Sequence, residues 1–80
     1  MSMCLAIPGR VETIFEQDGL KMAKVDFLGV KRVTCIEYTP EAVVGCYVLV
    51  HVGFALNIIN EDEAKETYEM LKQMGELNSI

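Results

Sequence analysis

The hydrophobic period of this chain of 80 residues changes once, from two to 3.6 at Asn60, and that switch limits what the chain can fold into. Before it, short runs alternate loosely between apolar and polar residues and are punctuated by glycine; after it, apolar residues recur every third or fourth position. Alternation sends successive side chains to opposite faces of a strand, whereas 3.6 spacing lines up one face of a helix. Strands are therefore predicted over residues 10–16, 21–27, 30–38, 46–52 and 54–59. Asp18-Gly19 is a hairpin signal because both residues tolerate positive φ. Gly29 separates the second strand from the third, Pro40 breaks the third, and Gly53 permits a bulge or sharp bend between the last two.

Beyond the switch, Asn60 is a good N-cap and Glu63 stands three residues later, a variant of the capping box. Glu61, Asp62 and Glu63 place negative charge at the helix N-terminus, and Glu61 with Lys65 forms an i,i+4 pair. Ala64, Thr67, Tyr68, Leu71 and Met74 make one stripe, and Gly75 is a stop signal. The expected fold is mainly β: a small OB-like antiparallel β-barrel with a C-terminal α-helix. Residues 1–80 read as a single domain, with an N-terminal cysteine arm over 1–9, the barrel over 10–59, the helix over 60–75 and a tail over 76–80.

Composition excludes several functions. Hydrophobic residues make up 51% of the chain, enough for a core despite its small size. The formal net charge is -5 and the one basic doublet is Lys31-Arg32, a poor basis for binding a phosphate backbone. Three cysteines, Cys4, Cys35 and Cys46, are an odd number without a C-x-x-C pair, which favours a reducing, cytoplasmic compartment over a disulfide scaffold. No charged segment followed by an apolar one reads as a signal peptide. The longest apolar stretch, residues 43–59, is interrupted by Gly45, His51, Gly53 and Asn57 and falls short of the ~20 residues of a membrane span. The expectation is a protein with neither nucleic acid nor membrane as partner.

Chemistry-bearing residues are few. In the strand over 46–52, Cys46, Val48, Val50 and Val52 share one face and Tyr47, Leu49 and His51 the other. The valine row is the core face, so Cys46 reads as a small buried hydrophobe. Cys35 also reads as a packing residue, with its facing open. His51 is the only histidine and stands next to the Gly53 bend; Cys4 lies almost at the start, in Met3-Cys4-Leu5-Ala6-Ile7-Pro8-Gly9. A thiol there can reach a partner or metal that a core cysteine cannot, and the thiolate is the reactive form.

These two residues lie in segments that resemble a known family. Met3-Cys4-Leu5-Ala6-Ile7-Pro8-Gly9, Val25-Asp26, Gly45-Cys46-Tyr47-Val48-Leu49-Val50-His51-Val52-Gly53-Phe54-Ala55 and Ile58-Ile59-Asn60-Glu61 resemble the HypC/HupF hydrogenase-maturation chaperones, over essentially the whole chain. The resemblance implies a chaperone, not an enzyme. It would bind the iron-sulfur protein HypD and the hydrogenase large-subunit precursor, and help deliver an Fe(CN)2CO group to the [NiFe] site. Cys4 and His51 then correspond to the family's N-terminal cysteine and strand histidine, a transient iron-carrying pair with no tightly bound cofactor. Cys4, Leu5, Ile7, Pro8 and Gly9 are the candidate partner-binding segment; Leu5 and Ile7 either anchor in a partner's groove or close this domain's own core. Proline biases Ile7 toward extended conformations, and Gly9 is read as a turn, making residues 4–7 a hook.

A low-spin ferrous iron with cyanide and carbonyl ligands is soft for an iron, and thiolate is the soft ligand a protein offers. A neutral His51 would ligate the iron or hydrogen-bond a cyanide; a protonated one would stabilise the thiolate. In the family the cysteine follows the initiator methionine, whereas here Met1-Ser2 precedes Met3. Two other functions compete: an OB-type nucleic-acid-binding module, which requires a basic groove with stacking aromatics, and a thiol enzyme with Cys4 as nucleophile and His51 as base. A working monomer is the simplest expectation for a chaperone that alternates between partners.

Overall fold

The structure is a computed structural model and describes residues 6–73. Five strands, β1 (Ile7–Gln17), β2 (Leu20–Phe27), β3 (Val30–Cys35), β4 (Tyr47–His51) and β5 (Phe54–Ile59), are followed by one helix, α1 (Glu61–Gln73). The strands close a barrel in the order β1-β2-β3-β5-β4, with β4 returning to β1. The OB-like expectation of a small mainly β barrel with a C-terminal helix holds. One pairing departs from the antiparallel rule: β3 meets β5 in parallel, through Cys35 and Phe54.

β1 makes closure possible because it is long enough to serve two neighbours. Its second part pairs with β2, from Arg10 opposite Asp26 to Gln17 opposite Leu20, and its first part pairs with β4, from Ile7 opposite Val50 to Arg10 opposite Tyr47. Between Val11 and Thr13 the register skips one residue, a bulge that bends the strand from one sheet direction to the other. Glu12, the extra residue, forms an ion pair with Lys31 of β3. Thus β1 begins at Ile7, three residues before the expected barrel boundary, and Gly9 is a strand residue instead of a turn.

The reason for glycine at this position is space. A Cβ built on Gly9 would lie 2.3 Å from a Val25 methyl and 2.8 Å from the Phe27 ring. Both partners are core residues, so the β1 backbone presses directly on the core. Val11, Ala23, Val25, Ile36, Val48 and Ala55 are fully buried around it.

Two-residue hairpins join β1 to β2, β2 to β3 and β4 to β5, at Asp18-Gly19, Leu28-Gly29 and Val52-Gly53. Both central residues have positive φ in each, the signature of type I′ turns, whose twist matches that of the strands. The Asp26 carboxylate accepts a hydrogen bond from the Gly29 N–H at 2.7 Å and ties down the second turn. Val52 departs from expectation. It does not join the valine row but occupies the turn at φ 50°, 80% exposed. Val48 and Val50 alone form the buried face of β4.

β3 ends at Cys35, three residues short of the expected limit, because the chain then dives beneath the barrel. Ile36 donates to the Lys21 carbonyl, Thr39 to Ile36 and Ala42 to Thr39. The last two are successive i to i−3 turns, which bring every third residue to the same side. Ile36, Thr39 and Ala42 are accordingly buried.

The helix starts as its cap dictates. Asn60 N–H donates to the Glu63 carboxylate at 3.0 Å, and Glu63 N–H donates to the Asn60 side-chain oxygen at 2.8 Å, the reciprocal pair of a capping box. Ala64 and Leu71 are buried and Thr67 and Tyr68 half-buried, so the expected stripe faces inward; Met74 and the Gly75 stop lie outside the described residues. Lys65 and Glu61 are 3.8 Å apart on the exposed side.

Two substitutions test this framework with opposite signs. Gly9→Ala is expected to lower stability by about 1–3 kcal/mol, since the core must shift to admit a methyl group. Val52→Asn is expected to raise it by about 1 kcal/mol by relieving a β-branched residue in the left-handed region. Thermal midpoints check both, at about 4–8 °C per kcal/mol for a domain of this size.

Candidate functional site

His51 is the last residue of β4, and Ile7, its near neighbour across the ladder, pairs with Val50. β1 therefore starts at the end of β4 where His51 stands. Within β4, alternation turns Val48 and Val50 to the core and Tyr47, Leu49 and His51 to the outer face, where all three are half-buried. His51 thus lies on the face expected of it. Cys4 and Leu5 lie outside the described residues.

The remaining members of the predicted segment have structural tasks. Ile7 packs against the core cluster, so it closes this domain's own core. Pro8 and Gly9 are buried in the barrel wall. The turn expected at Gly9 is corrected, since Ile7, Pro8 and Gly9 all belong to β1 in the barrel wall; residues 4 and 5 of the expected hook lie outside the described residues.

Why proline suits position 8 follows from the ladder. Val11 N–H donates to the Cys46 carbonyl at 2.9 Å and Val11 C=O accepts from Gly45 at 2.8 Å, so Val11 addresses the β4 side. Backbone groups alternate along a strand, which turns those of Pro8 toward the β2 side. There β2 has run out, because its last pairing with β1 is Asp26 with Arg10. Proline has no N–H to leave unpaired. Its carbonyl accepts a 2.6 Å hydrogen bond from the Tyr68 hydroxyl of α1, sixty residues away in sequence. Burial, with smaller contributions from Tyr47 and Asp26 nearby, pushes the Tyr68 hydroxyl up to about 12, so it remains a protonated donor at neutral pH.

On the other side of His51 runs an apolar row that sequence reasoning missed. Cross-strand pairing links Phe15 to Met22, Met22 to Cys35, Cys35 to Phe54 and Phe54 to His51. Ala23, Thr34, Ala55 and Val50, one step along, are all buried toward the core, so this row faces outward. The Tyr38 ring lies on Phe54 with centroids 5.8 Å apart, and Tyr38 is 66% exposed. His51 is therefore one end of a strip in which its immediate neighbour is the aromatic pair Phe54 and Tyr38. Only the parallel β3–β5 contact aligns it, and that contact has no local sequence signal.

Cys35 lies in this row, buried, which settles its facing; Cys46 is half-buried against the core as expected, and both are free thiols. Among the described residues no three His, Cys, Asp or Glu side chains converge as a metal cage, and no helix is long and apolar enough to cross a membrane. Tyr68 was visible in the sequence only as a stripe residue. Its hint was a phenol among aliphatic positions, since a buried tyrosine hydroxyl generally finds an acceptor.

Comparison with known proteins bears on the family. The HupF/HypC family profile matches residues 3–71. The chain is 44% identical over 75 residues to the hydrogenase maturation factor HypC of Synechocystis sp. (strain ATCC 27184 / PCC 6803 / Kazusa), covering 91% of this chain and 99% of that relative. To the hydrogenase maturation factor HybG of Escherichia coli (strain K12) it is 46% identical over 76 residues, covering 90% and 92%. To the Frd operon uncharacterized protein C of Proteus vulgaris it is 48% identical over 83 residues, covering 94% and 81%. Two of these names are those of maturation factors and not of enzymes, in line with the reading of the chain as a non-enzyme. Profile and relatives together place the chain in the HupF/HypC family.

Proposed function

We propose that this protein is a hydrogenase maturation chaperone that binds HypD and the hydrogenase large-subunit precursor, and carries an Fe(CN)2CO group between them as cargo on Cys4 with the help of His51. The observation that supports this reading is the pairing of Ile7 with Val50, which sets the start of β1 beside the only histidine. Two peptide units separate Cys4 from Ala6, so covalent geometry keeps its Cα within about 7.6 Å of the Ala6 Cα. Cys4 and His51 are thus within reach of one iron without any closed cage of protein ligands. An open, few-ligand site suits a carrier, because release to the next partner needs few bonds broken.

The cargo has its own ligands and needs from the chaperone chiefly a soft donor, the Cys4 thiolate. His51 ligates the iron or hydrogen-bonds a cyanide when neutral, and favours the thiolate when protonated. With Pro8 and Gly9 in the wall, arm contacts to partners fall to Cys4 and Leu5, and the Tyr38–Phe54 strip next to His51 offers apolar area beside them. Nucleic-acid binding has less support, since the exposed aromatic pair adjoins Glu37 in an acidic chain. The cytoplasm is the compartment that fits a carrier of reduced iron and free thiols.

Cys4→Ala is expected to leave the barrel folded by circular dichroism while abolishing the cyanide and carbonyl infrared bands of anaerobically copurified protein, together with hydrogenase activity. His51→Ala is expected to weaken the bands about tenfold without abolishing them. Unchanged bands and full hydrogenase activity in Cys4→Ala would overturn the reading.

A further inference from the structure

β5 is bordered unequally in the barrel. From Phe54 to Ile59 it pairs with β4, whereas β3 meets it only where Cys35 lies opposite Phe54. Past Cys35 the path that β3 would have continued is vacated, because Ile36 turns beneath the barrel and bonds to the Lys21 carbonyl. Strand polarity identifies the groups left over. Val11 bonds to Cys46 on the β1 side, so alternation turns Val48 and Val50 toward β1 and Leu49 and His51 toward β5. Asn57 lies opposite Leu49 and directs its N–H and carbonyl to β4. Those of Ile58 point the other way, where among the described residues β3 no longer runs alongside.

A strand edge of this kind is usually guarded by lysine or proline. Here residues 42–60 contain no Asp, Glu, Lys, Arg or Pro, and Phe54 and Leu56 are 44% and 45% exposed. Charge gathers instead at the two ends. Glu37 and Glu41 stand on the turns beside Tyr38, whose ring lies on Phe54, and Glu61, Asp62 and Glu63 follow Ile59. Lys21, which bonds to the Pro40 carbonyl, and Lys65 beside Glu61 offset only one carboxylate at each end. We propose that the free edge of β5 is a docking site for an extended segment of a partner protein, with apolar side chains at alternate positions and Lys or Arg at its ends. Ile58 supplies main-chain hydrogen bonds, Phe54 and Leu56 the apolar contact, and the carboxylates select the charge. A second copy of this chain fits worse, because antiparallel pairing of two β5 edges sets the acidic end of one against the acidic end of the other. The inference does not depend on iron carriage, so either reading stands if the other fails.

Two short peptides with blocked ends probe the edge, each alternating valine with threonine, one flanked by lysines and the other by glutamates. Nuclear magnetic resonance of the isotope-labelled full-length protein reads their binding. The lysine-flanked peptide is expected to shift the amide resonances of residues 54–60 and to slow hydrogen exchange at the Ile58 N–H. It should bind about tenfold more tightly than the glutamate-flanked one at low salt. Leu56→Lys puts a like charge on an exposed position of the edge and is expected to weaken the lysine-flanked peptide about tenfold, with the thermal midpoint nearly unchanged. Equal affinity for the two peptides, no shifts in residues 54–60, or undiminished binding by Leu56→Lys would overturn the assignment. So would protection of the Ile58 N–H that grows with protein concentration in the absence of peptide, which would give the edge to a second copy.

Discussion

The barrel depends on the close approach of the β1 backbone to the core at Gly9. Because no side chain stands there, Val25 and Phe27 of β2 press against the strand while its other edge bonds to β4. The bulge at Glu12 supplies the bend that lets one strand serve both neighbours. From this follow closure of the barrel, the pairing of Ile7 with Val50, and the start of β1 next to the His51 end of β4. A residue with a Cβ at position 9 would disturb the wall and the candidate site together.

The same economy explains Pro8. At the point where β2 ends, an ordinary residue would present both an N–H and a carbonyl to an empty edge. Proline removes the first and Tyr68 satisfies the second. The helix thus satisfies the Pro8 carbonyl of β1, next to the start of that strand. Charge has a smaller share, since the Glu61–Lys65 pair is exposed and such pairs contribute little.

Much of the fold was legible because its signals are local. Alternation marked the strands, Asp18-Gly19 marked a hairpin, and Asn60 with Glu63 marked the helix start; each depends on residues within a few positions of one another. The limits of β1 and β3 were misplaced because they are set by distant contacts: Ile7 by β4, and the end of β3 by Ile36 turning beneath the barrel. Val52 was misassigned because alternation has no means of showing that a strand has already turned, and a valine at positive φ contradicts its own propensity. Of the two candidate site residues, His51 stands on the outer face of β4 that alternation assigns to it, and Cys4 lies outside the described residues. The aromatic row and the Tyr68–Pro8 link were not legible, since each joins residues that only the closed barrel brings together.

The central claim is that the barrel delivers the Cys4 thiol to the end of β4 at His51. Disulfide trapping in a His51→Cys variant tests it directly, because a disulfide forms only when the two Cα atoms come within about 7 Å. Mild oxidation of the full-length protein, followed by mass spectrometry of the unreduced digest, is expected to yield an intramolecular link between positions 4 and 51, with Cys35 and Cys46 still free. A Cys4 that stays reduced, or that links only between molecules, would contradict the account.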